Sequence, residues 1–332
     1  MTTLGTPRPI PDFCGVSARS AFVPFLGNAV GFLGRHLWLT YALLTATMLI
    51  YGSYFVIGRA VYEQFPPVAF AFWRAVLSCA LLLPFVWRSV LRSWPLIREH
   101  APLIVVIGIA QAGLGQVMAF WSLHSTTAIN ASLIGALQPA LIVLLAAILV
   151  GERLDLRQKA GIVVALAGAV VAIVRGDLAV LRELSFVVGD LFMIVTGVCW
   201  ALYTVLVKRV PAALDAVILF FALTAAAAVV LAPFYAIEAL VFGADVALNA
   251  ATIGSLLYIV VFTGVLCLVL LNVAIHAIGP SRVGAFYNLI PVATALIAVF
   301  AINEPLRAYH VVGLALVLSG IYLTSRPAAV RL

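Results

Sequence analysis

The sequence predicts an all-α membrane protein whose ten transmembrane helices form two inverted five-helix repeats. Three observations carry that expectation. Apolar runs of about twenty residues follow one another with short polar breaks, Lys and Arg gather on one side of those runs, and the second half of the chain repeats landmarks of the first.

The apolar runs come first. Of 332 residues, 65% are hydrophobic and 9% charged, where a soluble domain carries about a quarter charged residues. A water-soluble fold is excluded. Bilayer hydrocarbon about 30 Å thick takes about 20 apolar residues per helix, and such stretches fall at 37–57, 68–87, 102–123, 129–150 and 156–174, then at 188–207, 216–241, 251–275, 283–302 and 308–324. A membrane barrel would alternate apolar and polar residues in segments of about ten; these runs are continuous. Residues 1–36 hold four prolines and a short apolar stretch, Ser20 to Gly34, interrupted by Pro24, Gly27 and Gly31. They read as a flexible cytoplasmic extension, and residues 325–332 as a cytoplasmic tail.

The charges give orientation. With ten spans both termini share a side, and of the nineteen Lys and Arg fourteen fall on that side. Arg59, Arg175, Arg182 and Arg307 fall on the other, and Arg74 lies inside a span. The positive-inside rule then makes both termini cytoplasmic, in a bacterial inner membrane. The net charge of +7 is spread singly over short loops, so no nucleic-acid partner is expected. Cys14, Cys79, Cys199 and Cys267 show no metal-ligand spacing; no disulfide, metal or cofactor is expected.

The repeat is the third observation. A shift of 152 residues places His124 on His276, Pro139 on Pro291, Gly151-Glu152 on Asn303-Glu304, Gly161 on Gly313 and Gly168 on Gly320. A shift of 149 places Tyr51, Tyr54 and Arg59 on Trp200, Tyr203 and Lys208. The domains are then repeat 1 at 37–174, a loop at 175–187 and repeat 2 at 188–324. Five helices per repeat is an odd number, so the second repeat enters from the opposite side, the arrangement many secondary transporters use for alternating access.

These same residues carry a family resemblance. The two aromatic-x-x-Tyr starts, the Gln138-Pro139 and Ile290-Pro291 helices, and the Gly-Glu-Arg-Leu and Asn-Glu-Pro-Leu segments before glycine-bearing last helices resemble the EamA-type repeats of the drug/metabolite transporter superfamily. The likeness covers residues 37–324 and is strongest to bacterial amino-acid exporters of the YddG type. It implies ten helices around a central cavity and efflux of amino acids or related metabolites.

Polar side chains at membrane depth are costly, so each is a candidate. Gln111 lies mid-span between Gly108 and Gly115 on one face, where it reaches a substrate or forms an interhelical hydrogen bond; Gln116 reads as packing. Gln138 precedes Pro139, and Tyr287 and Asn288 precede Pro291. A proline inside a helix removes one backbone bond, so these paired kinks are expected to free the carbonyls of Gly135 and Tyr287, lining a cavity unless neighbouring helices satisfy them. Tyr51 with Tyr54, and Trp200 with Tyr203, make an aromatic pair in each half, suited to apolar or aromatic side chains and to an ammonium; Tyr54 and Tyr203 also fit an interfacial belt. Arg74 reads first as snorkelling or pairing with Glu63, and second as binding a carboxylate. His124 and His276 lie at helix ends, as wetted residues or proton relays. Asp190, Glu152 and Glu304 also lie near helix ends, so a buried carboxylate relay has little support. The glycines of the fifth and tenth helices read as close packing between halves or between protomers.

The expected function is a secondary exporter of amino acids or similar small molecules, with lipid and substrate as its partners. A nucleotide-sugar or sugar-phosphate carrier is the alternative within transport, disfavoured because Arg74 is the one cation inside a span. An intramembrane enzyme is the alternative of another class; no His-Glu-x-x-His, Gly-x-Ser-x-Gly or Walker pattern is present.

Overall fold

Long apolar runs in which every backbone group must find its partner within the segment can only be helical, and in the computed structural model helices joined by short turns and connections make up the described residues. These are 37–151, 154–175, 177, 187–211, 213–214, 216–243, 246–278, 283 and 286–324, with the side chains of 37, 272, 276 and 277 excluded. The terminal extension and tail, most of the 175–187 loop, Glu152, Arg153, Arg182, Arg282 and the side chain of His276 therefore lie outside the described residues.

The first half contributes α1 (Leu37–Val61), α2 (Pro67–Glu99), α3 (Ala101–Ser125), α4 (Ala128–Val150) and α5 (Leu156–Ile173). The second contributes α6 (Val188–Leu206), α7 (Ala216–Leu240), α8 (Ala250–Ile275), α9 (Leu289–Ile302) and α10 (Ala308–Thr324). Among the described residues eight are long and apolar enough to cross a membrane, and α9 and α10 are shorter apolar helices. Helix α2 outruns its expected end at Trp87 and continues through Pro84 and Pro95 to Glu99. The apolar run marks where hydrocarbon ends, but the backbone ladder continues into the charged stretch of Arg88, Arg92 and Arg98.

The packing follows the repeat. α5 lies along α10, α2 along α7 and α4 against α9, while α1 sits between α8 and α9 as α6 sits between α3 and α4. Exchanging each helix with the one five places on leaves this set unchanged. Local irregularities pair as well: α3 passes through a π-helical stretch at Ile109–Leu114 and α8 through one at Ile259–Leu266. Both α4 and α9 end on a left-handed residue, Gly151 at φ 76° and Asn303 at φ 53°, the two residue types that tolerate it best.

The glycine-bearing helices close on each other within the chain. A Cβ on Gly168 would lie 2.7 Å from the Gly313 carbonyl oxygen, and one on Gly320 would lie 2.5 Å from that of Gly161. Such backbone contact needs small residues, so the α5–α10 strip joins the two halves. The outer surface is apolar: Val163, Val229, Leu296 and Phe300, the last 82% exposed, face outward as lipid-facing side chains do.

Candidate substrate site

Helix α1 brings the site together because Gly52 lets it approach α9 closely. A Cβ there would meet Ala293 Cβ and the Thr294 nitrogen at 2.8 Å, and the Thr294 hydroxyl donates to the Gly52 carbonyl at 3.1 Å. One residue earlier, the Tyr51 ring stacks on Tyr287 with centroids 6.3 Å apart. Tyr287, Cys267, Arg74 and Tyr203 all lie within electrostatic range of the Tyr51 hydroxyl. Five helices or their ends, from both halves, thus converge on one point.

This cluster is not sealed. Tyr51 and Tyr203 are half-buried and Tyr287 is 40% exposed, so the cluster stays accessible to a small molecule.

Further polar groups lie on α1, α2 and the neighbouring α3. Tyr54 is buried and donates through its hydroxyl to Gln116 Oε1 at 3.1 Å, so it is no belt residue, and Gln116, read from sequence as packing, is its acceptor. The difference arises because the register between α1 and α3 decides what meets what, and sequence does not give that register. Gln111 lies in the π-helical stretch of α3, half-buried, and its Oε1 is buried without a hydrogen-bond partner. Arg74 is 7% exposed and its Nε has no partner. It neither snorkels nor pairs with Glu63, which is exposed and accepts from the Tyr62 hydroxyl at 2.7 Å.

Other expected site residues make different contacts. Trp200 packs its indole over Gly115 of α3, where a Cβ would lie 3.1 Å from the ring. Gln138 and Asn288 are half-buried and make no side-chain hydrogen bond among the described residues. The expected proline kinks take a different form. The chain makes a turn at Ala136–Leu137 and at Tyr287–Asn288, and Pro139 and Pro291 then sit in the first turn of the new helical segment, where a missing N–H costs nothing. The Tyr287 carbonyl is accordingly not free: it accepts from the Ile290 N–H at 3.1 Å. His124 packs edge-on against Tyr62 and Phe120, with its Nε2 buried and unpartnered.

A second polar group, at one end of the bundle, was not legible as such. Asp190, in the first turn of α6, is 0% exposed and accepts from the Thr126 hydroxyl, leaving Oδ2 unpartnered. Glu304 accepts from the N–H groups of Ala128 and Ile129, both at 3.0 Å, capping α4 from the other half. Nearby, His310 Nδ1 accepts from the Arg307 N–H at 3.0 Å, and its Nε2 is buried without a partner. The sequence cue was weak: each lies near a helix end, where acids ordinarily meet water.

Comparison with known proteins agrees with this architecture. The description of the EamA-like transporter family matches the chain twice, at residues 38–174 and 187–326. The transporter YyaM of Bacillus subtilis is 30% identical over 86% of this chain and 93% of its own length. A transporter of Archaeoglobus fulgidus is likewise 30% identical, over 86% of this chain and 97% of its own. A solved crystal structure superposes with a TM-score of 0.53 at 22% identity, covering 85% of this chain and 94% of that one; that likeness concerns the fold.

Proposed function

Because the chain belongs to the EamA-like transporter family, we propose that it is a secondary transporter exporting amino acids or closely related small metabolites by alternating access across a bacterial inner membrane. In this reading ten helices cross the bilayer as two inverted halves with both termini in the cytoplasm. The substrate rests at the Tyr51–Tyr287 wall, with Arg74, Tyr54, Tyr203 and Gln111 around it. The observation that carries the reading is the pair Tyr51 and Tyr287: deep in the bundle, still accessible, and contributed by opposite halves.

Two halves that rock about a shared centre expose that centre to each side in turn, and the scaffold pairs support such an exchange. The α5–α10 contact is backbone-close and suits a fixed seam, whereas the Glu304 cap on α4 is a polar contact between halves that can open. A sugar-phosphate carrier is less well served, since one arginine is a poor match for a multiply charged anion.

The test is counterflow in proteoliposomes, with labelled amino acids outside and unlabelled ones inside. Uptake above empty liposomes, reduced by Tyr51→Ala or Tyr287→Ala, is expected. Uptake of no amino acid, or of sugar phosphates alone, overturns the proposal.

A further inference from the structure

The cluster around Tyr51 contains a fixed positive charge and no countercharge. Arg74 is buried on α2, its Nε hydrogen-bonds to nothing, and no acidic side chain pairs with it among the described residues. The charged or titratable groups in electrostatic range of it are the phenols of Tyr54 and Tyr51. A guanidinium carries five donors and keeps its charge at any working pH, and in a lipid-embedded interior it is tolerated when an anion or a wet cavity meets it. Two neutral phenols do not discharge it. In this chain the missing countercharge falls beside the accessible tyrosine wall.

Resting on the transporter reading above, we infer that Arg74 binds the carboxylate of the transported molecule, so that the substrate class is small monocarboxylates, amino acids among them. The planar fork of the guanidinium matches a carboxylate in two parallel hydrogen bonds. One arginine balances one negative charge; a phosphate monoester brings nearly two and finds no second buried Lys or Arg among the described residues. The aromatic walls suit an apolar body. Helix α3 also offers an unused acceptor: its π-helical stretch carrying Gln111 packs against α7, α6 and α2, and the buried, partnerless Gln111 Oε1 is matched by a donor such as an ammonium.

The test uses the full-length protein with L-phenylalanine, 3-phenylpropionate, L-phenylalaninamide and glucose 6-phosphate, read by thermal shift in detergent and by counterflow in proteoliposomes. The two carboxylates are expected to bind, and the amide about tenfold or more weakly. Arg74→Lys, which keeps the charge but not the fork, is expected to bind the acids about tenfold more weakly. Arg74→Gln is expected to lose the preference for acid over amide. Its ligand-free melting temperature should match or exceed that of the wild type, because an uncompensated buried charge has been removed; a structural role for Arg74 would lower it. If Arg74→Gln does not fold, the acid-to-amide comparison on the unaltered protein decides. Equal response to acid and amide, response to the sugar phosphate alone, or response to none of the four overturns the assignment. Acid binding without flux would keep the assignment and remove the transporter reading, while flux with no preference for acids would do the reverse.

Discussion

Glu304 is the place where one substitution should reveal how the two halves are held. The residue is 9% exposed, and its carboxylate accepts from the Ala128 and Ile129 N–H groups at 3.0 Å each. Thr127 already caps the Asn130 N–H at 3.1 Å, so Glu304 serves two of the four donors that the first turn of α4 leaves without intrahelical partners. Glu304→Ala removes both acceptors and leaves two buried donors at about 1–3 kcal/mol each, hence a loss of about 2–6 kcal/mol before any relaxation. For a chain of this size about 2 °C of melting temperature accompanies each kcal/mol, so a fall of about 4–12 °C is expected. Glu304→Gln keeps one acceptor oxygen and turns an amide N–H₂ toward a backbone donor, so it should lose at least half as much. Thermal unfolding in detergent, followed by near-UV circular dichroism, reads the effect. A Glu304→Ala variant melting within about 1 °C of the wild type would show that water or a neighbouring group supplies the cap, refuting the reasoning.

Further outcomes are expected at single contacts. Gly320→Ala drives a Cβ to 2.5 Å from backbone atoms of α5 and should cost about 1–3 kcal/mol by overpacking. Gly254→Ala, where nothing lies within 4 Å, should be neutral or stabilising by up to about 1 kcal/mol; parallel melting curves compare the two. Tyr54→Phe strands the buried Gln116 oxygen and should destabilise by about 1–3 kcal/mol, a loss that Gln116→Leu in the same chain should partly restore in a double-mutant cycle. Tyr287→Ala should slow counterflow while leaving the melting temperature nearly unchanged, since the ring is 40% exposed and little packing is lost. Thr126→Val should destabilise by about 1–3 kcal/mol because the buried Asp190 loses its hydroxyl donor, and Asp190→Asn beside it should recover part of that loss in the same melting assay.

What sequence could and could not supply divides along the range of the interactions. Spans, the paired breaks before Pro139 and Pro291, and the close-packing glycines of α5 and α10 follow from hydropathy, proline chemistry and residue size, which act within one segment. The Tyr54–Gln116 bond, the Thr126–Asp190 bond and the Glu304 cap join residues 62, 64 and about 175 positions apart. They depend on the rotation and depth of one helix against another. Arg74 shows the boundary well. Its neighbour in sequence, Glu63, suggested an ion pair, but Glu63 stays in the exposed α1–α2 connection while Arg74 turns inward toward Tyr51 and Tyr54. The same gap separates Gln111 from Gln116, five positions apart and alike in type: one is satisfied by α1 and the other by nothing.

The symmetry of the scaffold makes the asymmetry of its chemistry informative. Helix breaks, π-helical stretches, left-handed ends and glycine contacts all occur in pairs. The polar groups of the centre do not. At the position matching Arg74, a shift of 149, the second half has Leu223, buried at the contact where Gly108 meets its carbonyl. At the position matching Gln111, a shift of 152, it has Thr263, whose hydroxyl is satisfied by the Ile259 carbonyl at 2.6 Å. A symmetric ligand, or a simple aqueous pore, would gain nothing from such a difference. The ligand proposed above, with one anionic end and one donor end, would, because Arg74 and Gln111 both come from the first half. Polarity of the ligand is thus the simplest physical reason for two near-equivalent halves to differ at their meeting point and to agree elsewhere.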